Sequence, residues 1–465
     1  MPSVIRDPLA CGRVEDADVD HFLTAPLKCV PPRDTVPGHR QLLGKGTSMI
    51  SPARPPARRI AALLTGTIAL VLAATGCGGK TGTGSATGKI TSITALDYYT
   101  DEREHTQWGE VLAACGKTAG VRVEQTSVPG ASLIPKVLQR ASSRTLPDLL
   151  MLDNPDLQQI AQTGALTPLD QYGIDSSGFA KGILSAGTYK GKVYGLAPDV
   201  STIALFYNKD MLAKAGVAVP GTWDELKAAA AKLARPGRYG MAVDANPTFE
   251  GTWQFLPFLW SNGGDEKKLD TPQAAKALQL WVDLVKSGSM SKSVLNWTQA
   301  DVHDQFVAGK TAMMINGPWR IPALKQAKNL HWGVAPIPVP RTGQTPVTPL
   351  GGEVWTVPRS PSKARQEKAA QVLACLNGHS TMLTLAEQHF TVPSRTAVAA
   401  QYAEQTPSMA AFVKSVEAAR ARTGQLGVKW PKAATGIYTA IQSALTGRQT
   451  PEEALRRGQQ IATGH

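Results

Sequence analysis

Tryptophan residues near turns are the feature of this 465-residue sequence that most suggests a binding surface. Six Trp stand beside turn-forming residues, at positions Trp253, Trp260, Trp297, Trp319, Trp332 and Trp355. An aromatic ring in a loop can stack on the C–H face of a sugar, while Asp, Asn, Glu and Arg side chains bond to its hydroxyls. The alternative for each Trp is a side chain that only covers the hydrophobic core. The sequence therefore predicts a carbohydrate cleft, with a structural role for any single Trp left open.

Signals for catalysis or metal binding are missing from the sequence. There is no Gly-x-Ser-x-Gly elbow, and the His residues lack a metal-binding spacing such as His-Glu-x-x-His. The paired carboxylates of a glycosidase leave no local signature, so that class of enzyme stays open. The net charge of +13 comes from scattered Lys and Arg, which does not favour nucleic-acid binding. We expect no catalytic residues, no metal and no cofactor.

The elements that must position the cleft alternate between strand and helix. Strands are predicted for residues 93–98, 121–124 and 148–153, with helices over 103–118 and 132–140 between them. Four apolar residues inside the third strand are typical of a parallel strand buried on both faces. This βαβαβ order predicts an α/β doubly wound lobe, in which ligands bind beyond the carboxyl ends of the strands.

Polar side chains at two of these strand ends are therefore candidates for the cleft edge. Tyr98 and Tyr99 close the first strand, and Asp153 and Asn154 close the third. Because neighbouring residues of a strand alternate in direction, only one of the two tyrosines is expected to face the cleft, and we assign Tyr98.

Helices prevail farther along the chain, and their first residues are recognisable. Thr222-Trp-Asp-Glu225 forms a capping box, and Thr271-Pro272 places a cap and a proline at the start of another helix. Further strands are predicted for residues 311–315 and 353–357.

Residues 49–77 have the pattern of an export signal. Three Arg precede the uncharged apolar run of residues 60–74, which is short for a bilayer-spanning helix and typical of a secretory signal. The run ends in Ala-Thr-Gly-Cys77, similar to the lipobox of bacterial lipoproteins. Residues 49–76 are therefore predicted to be a lipoprotein signal peptide and Cys77 to be lipidated. A plain signal peptide or an uncleaved anchor is the alternative.

The segments on either side of this signal carry two further expectations. We expect translation to start at Met49, with a genuine cytoplasmic extension of residues 1–48 as the alternative. The Gly-, Ser- and Thr-rich residues 77–89 are predicted to form a flexible tether that holds the globular part close to a membrane.

Cys115 and Cys375 are predicted to be buried thiols. Cys115 continues the apolar stripe of Trp108, Val111 and Leu112 at helical spacing, and Cys375 also lies in an amphipathic run. Free Cys behaves as a small apolar residue in such positions. A disulfide between the two is the alternative.

The order of these segments resembles the family 1 extracellular solute-binding proteins of ABC sugar importers, the maltose-binding-protein type. The stretch most similar to the family is Phe306-Val-Ala-Gly-Lys-Thr-Ala-Met-Met-Ile-Asn-Gly-Pro-Trp319. Supporting motifs are Leu205-Phe-Tyr-Asn-Lys-Asp210, Thr222-Trp-Asp-Glu-Leu226, Gly351-Gly352 and Val392-Pro-Ser-Arg395. The resemblance covers the chain from Ile90 to its C-terminal helices.

The resemblance implies a two-lobed α/β fold of the type II periplasmic-binding-protein kind, each lobe a sheet flanked by helices. The first lobe would hold residues 90–200 and 350–395, and the second residues 201–349 and 396–465. Hinge strands would join them where the chain crosses, near residues 199–201, 349–351 and 395.

The resemblance also implies roles for individual residues in the groove. Trp319 would be a stacking platform, and Asp153 and Asn154 would bond to sugar hydroxyls, although both could instead cap the following helix. Asp199 would accept a hydrogen bond from a sugar hydroxyl at the crossing, with a role in the hinge turn as the alternative. Gly351 and Gly352, in this interpretation, would let the backbone approach the ligand, with a simple turn as the alternative.

Four more residues are expected at the groove by the same analogy. Glu250 and Trp253 would form a wall of the second lobe, and Trp297 would add another aromatic face. Arg395 would either reach the groove or pair with a nearby carboxylate.

The function that the resemblance implies is binding rather than catalysis. A monomer, lipid-anchored at the extracellular face of the cell membrane, would capture a sugar or oligosaccharide between its lobes. It would then deliver that carbohydrate to ABC permease subunits driven by a separate ATPase. The alternatives are a secreted glycoside-processing enzyme, the same fold binding a polyamine, peptide or oxyanion, and a sensor subunit.

Overall fold

The computed structural model describes residues 89–464. The predicted extension 1–48, the predicted signal 49–76, the lipidation site Cys77 and the tether before residue 89 lie outside the described residues. Between residues 89 and 464, no helix combines the length and the apolar character needed to cross a membrane.

The strands of the described residues are two to six residues long. They are β1 (Ser92–Asp97), β2 (Arg122–Ser127), β3 (Leu149–Asp153), β4 (Thr188–Tyr189), β5 (Lys192–Val193), β6 (Gly195–Leu196), β7 (Asp199–Val200), β8 (Ala204–Asn208), β9 (Tyr239–Ala242), β10 (Thr311–Asn316), β11 (Trp332–Ala335), β12 (Glu353–Thr356) and β13 (Val392–Pro393).

Helices account for most of the remaining chain. They are α1 (Glu102–Ala119), α2 (Gly130–Ser143), α3 (Leu157–Gln162), α4 (Lys181–Ala186), α5 (Lys209–Ala215), α6 (Trp223–Leu233), α7 (Phe249–Ser261), α8 (Pro272–Lys286), α9 (Gln299–Val307), α10 (Ile321–Gln326), α11 (Lys363–Leu376), α12 (His379–His389), α13 (Thr396–Gln405), α14 (Ala410–Glu417), α15 (Trp430–Leu445) and α16 (Pro451–Thr463). Short 3₁₀ helices span Asn154–Asp156, Leu169–Tyr172, Lys292–Leu295, Pro318–Arg320, Pro407–Met409 and Gly427–Lys429.

Two main sheets organise these elements, as the predicted α/β architecture requires. The first has the strand order β2-β1-β3-β12-β6, in which β1 is parallel to β2 and β3 while β12 is antiparallel to its neighbours. The second has the order β11-β8-β10-β9, with β10 parallel to β9 and antiparallel to β8. The predicted βαβαβ opening is therefore confirmed as β1 to β3.

Local sequence signals explain why these elements form where they do. All four residues of β3 before Asp153 are fully buried, as expected for a central strand with helices on both faces. The capping box of Thr222 and Glu225 starts α6, and Thr271 caps α8 with Pro272 as its first residue, so both predicted caps are confirmed. Gly120, with φ 70°, ends α1 in the left-handed conformation that glycine adopts without strain.

The four-stranded sheet contributes to two hydrophobic cores. In β8, Leu205 belongs to the core that contains α7 and α8, while the adjacent Phe206 belongs to the core of the five-stranded sheet. Met313 and Met314 of β10 divide in the same way, because successive side chains of a strand point to opposite faces. The two sheets are thus linked through continuous packing.

The three segments predicted as crossings lie side by side. Strand β7 pairs with β13 in antiparallel fashion, and Ser201 forms a bridge with Gly351. Pro349 in turn forms a bridge with Arg420. The lobe boundaries drawn from the sequence remain a prediction.

Cys115 and Cys375 form a disulfide, so the prediction of two free buried thiols is wrong. Helices α1 and α11 pack against each other and bring the two Cα atoms within 5.5 Å. Because the two cysteines are 260 residues apart in the sequence, no local pattern could predict that they lie close together.

Four of the six Trp that stand beside turn-forming residues lie in helices or strands rather than in loops, and of these only Trp355 falls in an element that the sequence predicted. Trp253 and Trp260 belong to α7, Trp332 to β11 and Trp355 to β12. Nearby turn residues mark where these elements end, and they do not exclude a Trp from the last turn of a helix or from a strand.

Candidate functional site

A cavity of about 400 Å³ opens at the carboxyl end of β1 and β3. Elements next to both main sheets contribute the lining residues. These include eight of the eleven predicted ligand-binding residues: Tyr98, Asp153, Asp199, Glu250, Trp253, Trp319, Gly351 and Gly352. Its volume lies within the range typical of small-molecule sites.

One wall of the cavity is built around the carboxyl group of Glu353. This residue begins β12, next to Asp153 at the end of β3, and it accepts hydrogen bonds from the hydroxyls of Tyr98 and Tyr99. The Tyr99 bond measures 3.0 Å. Burial, together with the nearby charge of Asp153, raises the pKa of Glu353 to about 7.

Asp199 adds a second buried carboxyl group to this wall. It begins β7, where pairing with β13 places it beside Thr391, whose hydroxyl donates a hydrogen bond to Asp199 Oδ2. Only 5% of Asp199 is exposed, and burial raises its pKa to about 6. We name the group formed by Tyr98, Tyr99, Asp199 and Glu353 the carboxylate wall.

Asp153 forms an ion pair with a residue from the far end of the chain. Both of its oxygens accept from Arg422, Oδ1 from Nη2 at 2.6 Å and Oδ2 from Nη1 at 3.0 Å. Arg422 is 4% exposed, and its guanidinium also lies over the ring of Trp253, 5.6 Å from the centroid. A buried guanidinium needs such a bidentate partner to offset the loss of hydration.

The opposite wall is aromatic. Trp253, from α7, stacks on Trp319, from the 3₁₀ helix after β10, with centroids 5.6 Å apart and planes inclined by 22°. We name this pair the tryptophan wall. Trp319 is half-buried, whereas Trp253 is 6% exposed.

Two glycines make room for these rings. A Cβ on Gly317 would lie 1.8 Å from Cζ3 of Trp319, and a Cβ on Gly351 would lie 2.7 Å from Cζ2 of Trp253. Gly352 has φ 107°, a conformation that other residues rarely adopt. Gly351 thus allows close approach of Trp253, in addition to its predicted role towards a ligand.

Charged groups near the tryptophan wall are less tightly paired. Burial raises the pKa of Glu250, and burial also raises the pKa of its neighbour Asp244 to about 8. Burial lowers the pKa of Arg320, which lines the cavity together with Glu104 and Glu250. Arg320 Nε has no hydrogen-bond partner among residues 89–464.

The structure places three predicted site residues outside the cavity. Asn154 is 2% exposed and its amide donates to the carbonyl of Leu350 at 3.4 Å. Trp297 packs against both hydrophobic cores. Arg395 pairs with Asp175 at 3.1 Å, which was the alternative that the sequence left open.

Both Tyr98 and Tyr99 line the cavity, so the expectation that only one of them faces the cleft is wrong. Several other lining residues were not predicted as site residues. They are Glu104, Trp108, Ser201, Phe249, Thr298, Gln299, Ala300, Arg320, Glu353, His389, Thr391 and Arg422. Glu353 had one available signal, since it directly follows Gly351-Gly352 at the start of a predicted strand. For metal binding, the described part of the chain holds no group of three His, Cys, Asp or Glu side chains suited to an ion.

Comparisons with known proteins agree with this geometry. The family described as "Bacterial extracellular solute-binding protein" matches residues 110–415. A "Maltooligosaccharide ABC transporter solute-binding lipoprotein" of Streptococcus pneumoniae serotype 4 is 26% identical over 321 residues, covering 64% of this chain and 72% of that protein.

Solved structures are similar over most of the described residues. An ABC transporter solute-binding protein from Thermotoga lettingae, bound with alpha-D-tagatose, has a TM-score of 0.72 and 25% identity over 80% of this chain and 99% of that one. Maltose-bound MalE3 of T. maritima also has a TM-score of 0.72 and 25% identity, over 81% of this chain and 100% of that one. The predicted two-lobed, periplasmic-binding-protein-like α/β fold is confirmed by these matches. Because the family match spans more than half of the sequence, the chain belongs to the bacterial extracellular solute-binding proteins.

Proposed function

We propose that this protein captures a sugar or oligosaccharide in the cavity between its two lobes and delivers it to an ABC importer. The observation that carries the proposal is the pairing of two unlike walls around one cavity. The tryptophan wall offers ring faces, and the carboxylate wall offers oxygen acceptors and phenol hydroxyls.

A sugar needs both kinds of surface at once. Its C–H face is apolar and stacks on an indole, while its equatorial hydroxyls donate to carboxylates and accept from phenols or guanidinium groups. Polar atoms of the lining residues also favour a sugar as the solute. Trp253 Nε1, Arg422 Nε and His389 Nε2 have no hydrogen-bond partner among residues 89–464. A hydrophobic solute would leave those polar atoms unsatisfied and would remove further solvent from the carboxyl groups of the wall.

Capture would proceed by closure of the lobes. A solute that contacts both walls favours the closed form because that form offers it more interactions, and no chemical step is required. The adjacent crossing segments, β7 with β13 and Ser201 with Gly351, are the places where such a rotation would occur. Glu353 and Asp199 would serve as hydrogen-bonding groups, and the proposal assigns no residue a catalytic role.

The setting that we propose is the outer face of the cell membrane. Lipid on Cys77 and the tether of residues 77–89 would hold a monomer there, beside permease subunits and their ATPase. Deletion of the protein should reduce sugar uptake by the cells. Recovery of uptake with the wild-type chain but not with Cys77→Ala would support both delivery and anchoring. Full uptake with Cys77→Ala would contradict the anchor.

The direct test is isothermal titration of the purified protein with a panel of neutral mono- and oligosaccharides. We expect one sugar class to bind with 1:1 stoichiometry and to be recovered unchanged by chromatography. Binding of polyamines, peptides or anions instead of sugars would overturn the carbohydrate assignment. Recovery of shortened sugars would instead identify an enzyme.

A further inference from the structure

Two arginines stand two residues apart in the segment between α14 and the 3₁₀ helix Gly427–Lys429, and each makes the same two kinds of contact. Arg420 donates to Asp265 at 3.1 Å and to Glu266 at 2.8 Å, and its guanidinium lies 4.5 Å from the ring centroid of Trp260. Arg422 donates to Asp153 and lies over Trp253.

The difference lies in what the two arginines connect. Trp253 and Trp260 are two turns apart on α7, but the partners of the Arg420 side chain all come from the end of α7 and the loop that follows it. Arg422 instead joins α7 to Asp153, at the end of the central strand of the other sheet. Arg422 also lines the cavity, and Arg420 does not.

We propose that Arg422 is a positioning residue that fixes the tryptophan wall by joining Trp253 to Asp153, a role that rests on the proposed function. Arg422, Trp253 and Trp319 form a continuous series of stacked groups, with successive separations of 5.6 Å and 5.6 Å. Holding Trp253 in turn holds Trp319, the half-buried member of the pair. Asp153 acts on the tryptophan wall through this series, because both of its oxygens bond to Arg422.

The guanidinium group is required for this role. Its planar fork satisfies both oxygens of Asp153 while its face covers the indole, whereas a lysine ammonium is a point charge that can do only one of these. Removing Asp153 leaves a buried guanidinium without its counter-charge, and removing Arg422 leaves the half-buried carboxylate of Asp153 without its partner. The arrangement therefore predicts that Arg422→Lys and Asp153→Asn share one phenotype.

The test compares Arg422→Gln with Arg420→Gln as a matched control that removes the same chemistry outside the cavity. Without ligand, circular dichroism reports the exciton couplet of Trp253 and Trp319, and Trp319→Phe shows which part of the signal comes from that pair. We expect Arg422→Gln and Arg422→Lys to diminish this couplet. Arg420→Gln should retain the couplet while lowering the unfolding temperature.

Titration with the sugar that the wild-type protein binds gives the second readout. We expect Arg422→Gln to weaken binding on the order of tenfold, as for loss of a charge-assisted pair, and Arg420→Gln to leave it within about twofold. An unchanged couplet in Arg422→Gln, or equal losses in both variants, would overturn the positioning role. If Arg422→Gln fails to fold, Arg422→Lys and Asp153→Asn provide the same comparison. If the wild-type protein binds no sugar, the proposed function fails, and the couplet alone still decides the role of Arg422.

Discussion

The two walls of the cavity differ in how the fold holds them in place. The carboxylate wall is built from strand ends, where Tyr98, Glu353 and Asp199 follow or begin β1, β12 and β7. The tryptophan wall comes from one turn of α7 and from a short 3₁₀ helix, and it depends on ring stacking and on Gly317. Sheet register therefore fixes the hydrogen-bonding groups, while side-chain packing fixes the stacking surface.

This difference indicates separate duties for the two walls. Groups fixed by a sheet keep buried carboxyls at defined positions, which suits recognition of hydroxyl directions. Stacked rings bind any apolar sugar face and supply area rather than direction. We expect affinity to depend most on the tryptophan wall, and discrimination between sugars and the response to pH to depend on the carboxylate wall.

The largest loss of affinity is expected from Trp319→Ala. Removing the stacking platform should weaken sugar binding on the order of 10- to 100-fold, the value of one buried aromatic face. Trp332→Ala is the matched control, because Trp332 lies outside the cavity and packs on Phe206, with the two ring centroids 6.0 Å apart. Isothermal titration of both variants measures the effect. Equal affinity in Trp319→Ala and the wild type would show that the tryptophan wall does not bind the sugar.

A smaller loss is expected from Glu353→Gln. The amide keeps one acceptor for the two tyrosine hydroxyls and loses the charge, so binding should weaken by about tenfold. The loss should vary among sugars that differ at one hydroxyl, as judged by titration with epimers. A uniform loss for every epimer would show that the carboxylate wall gives affinity without direction.

The pH dependence of stability isolates the carboxylate wall further. Burial raises the pKa of Glu353 to about 7, above the value near 4.3 of an exposed glutamate. Between these values the native state holds a proton that the unfolded state releases, so the free energy of unfolding falls as pH rises. The unfolding temperature of ligand-free wild type minus that of Glu353→Gln should therefore be larger at pH 5 than at pH 8, by a few degrees. A difference that is constant with pH would contradict the buried carboxyl.

The smallest effect on binding is expected from the double variant Cys115→Ala/Cys375→Ala. The disulfide closes a long loop between α1 and α11, so its removal should cost about 2–5 kcal/mol of stability. Sugar affinity should stay within about twofold, because neither cysteine lines the cavity. Thermal unfolding and titration together check both statements. A large loss of affinity with little loss of stability would show that α1 must be held for the cavity to form.

Local patterns in the sequence were sufficient for β1, β2, β3, β10 and β12 and for part of the site. The apolar run of β3 and the cap of α6 need only neighbouring residues, and Asp153 follows from the rule that ligands gather at strand ends. Trp319 followed from the resemblance of its Asn-Gly-Pro-Trp motif to a known family.

Arg422 and the disulfide required contacts that no local pattern records, and Glu353 had only the preceding Gly351-Gly352 as a local signal. Arg422 reaches Asp153 over 269 residues of sequence, and Glu353 reaches Tyr98 over 255. Arg395 shows the converse case, since a motif placed it near the groove while the fold pairs it with Asp175. Contacts between distant parts of the chain decide which charged side chains face the cavity. The local patterns of a single sequence do not predict these contacts.

The central claim is that one solute contacts both walls, and a crystal structure of the protein with its best-binding sugar tests this most directly. We expect the sugar between Trp319 and Glu353, with one ring face on the indole and a hydroxyl within hydrogen-bond distance of the carboxylate. A sugar held on one wall only, or bound instead in the pocket beside Arg395 and Asn377, would contradict the account.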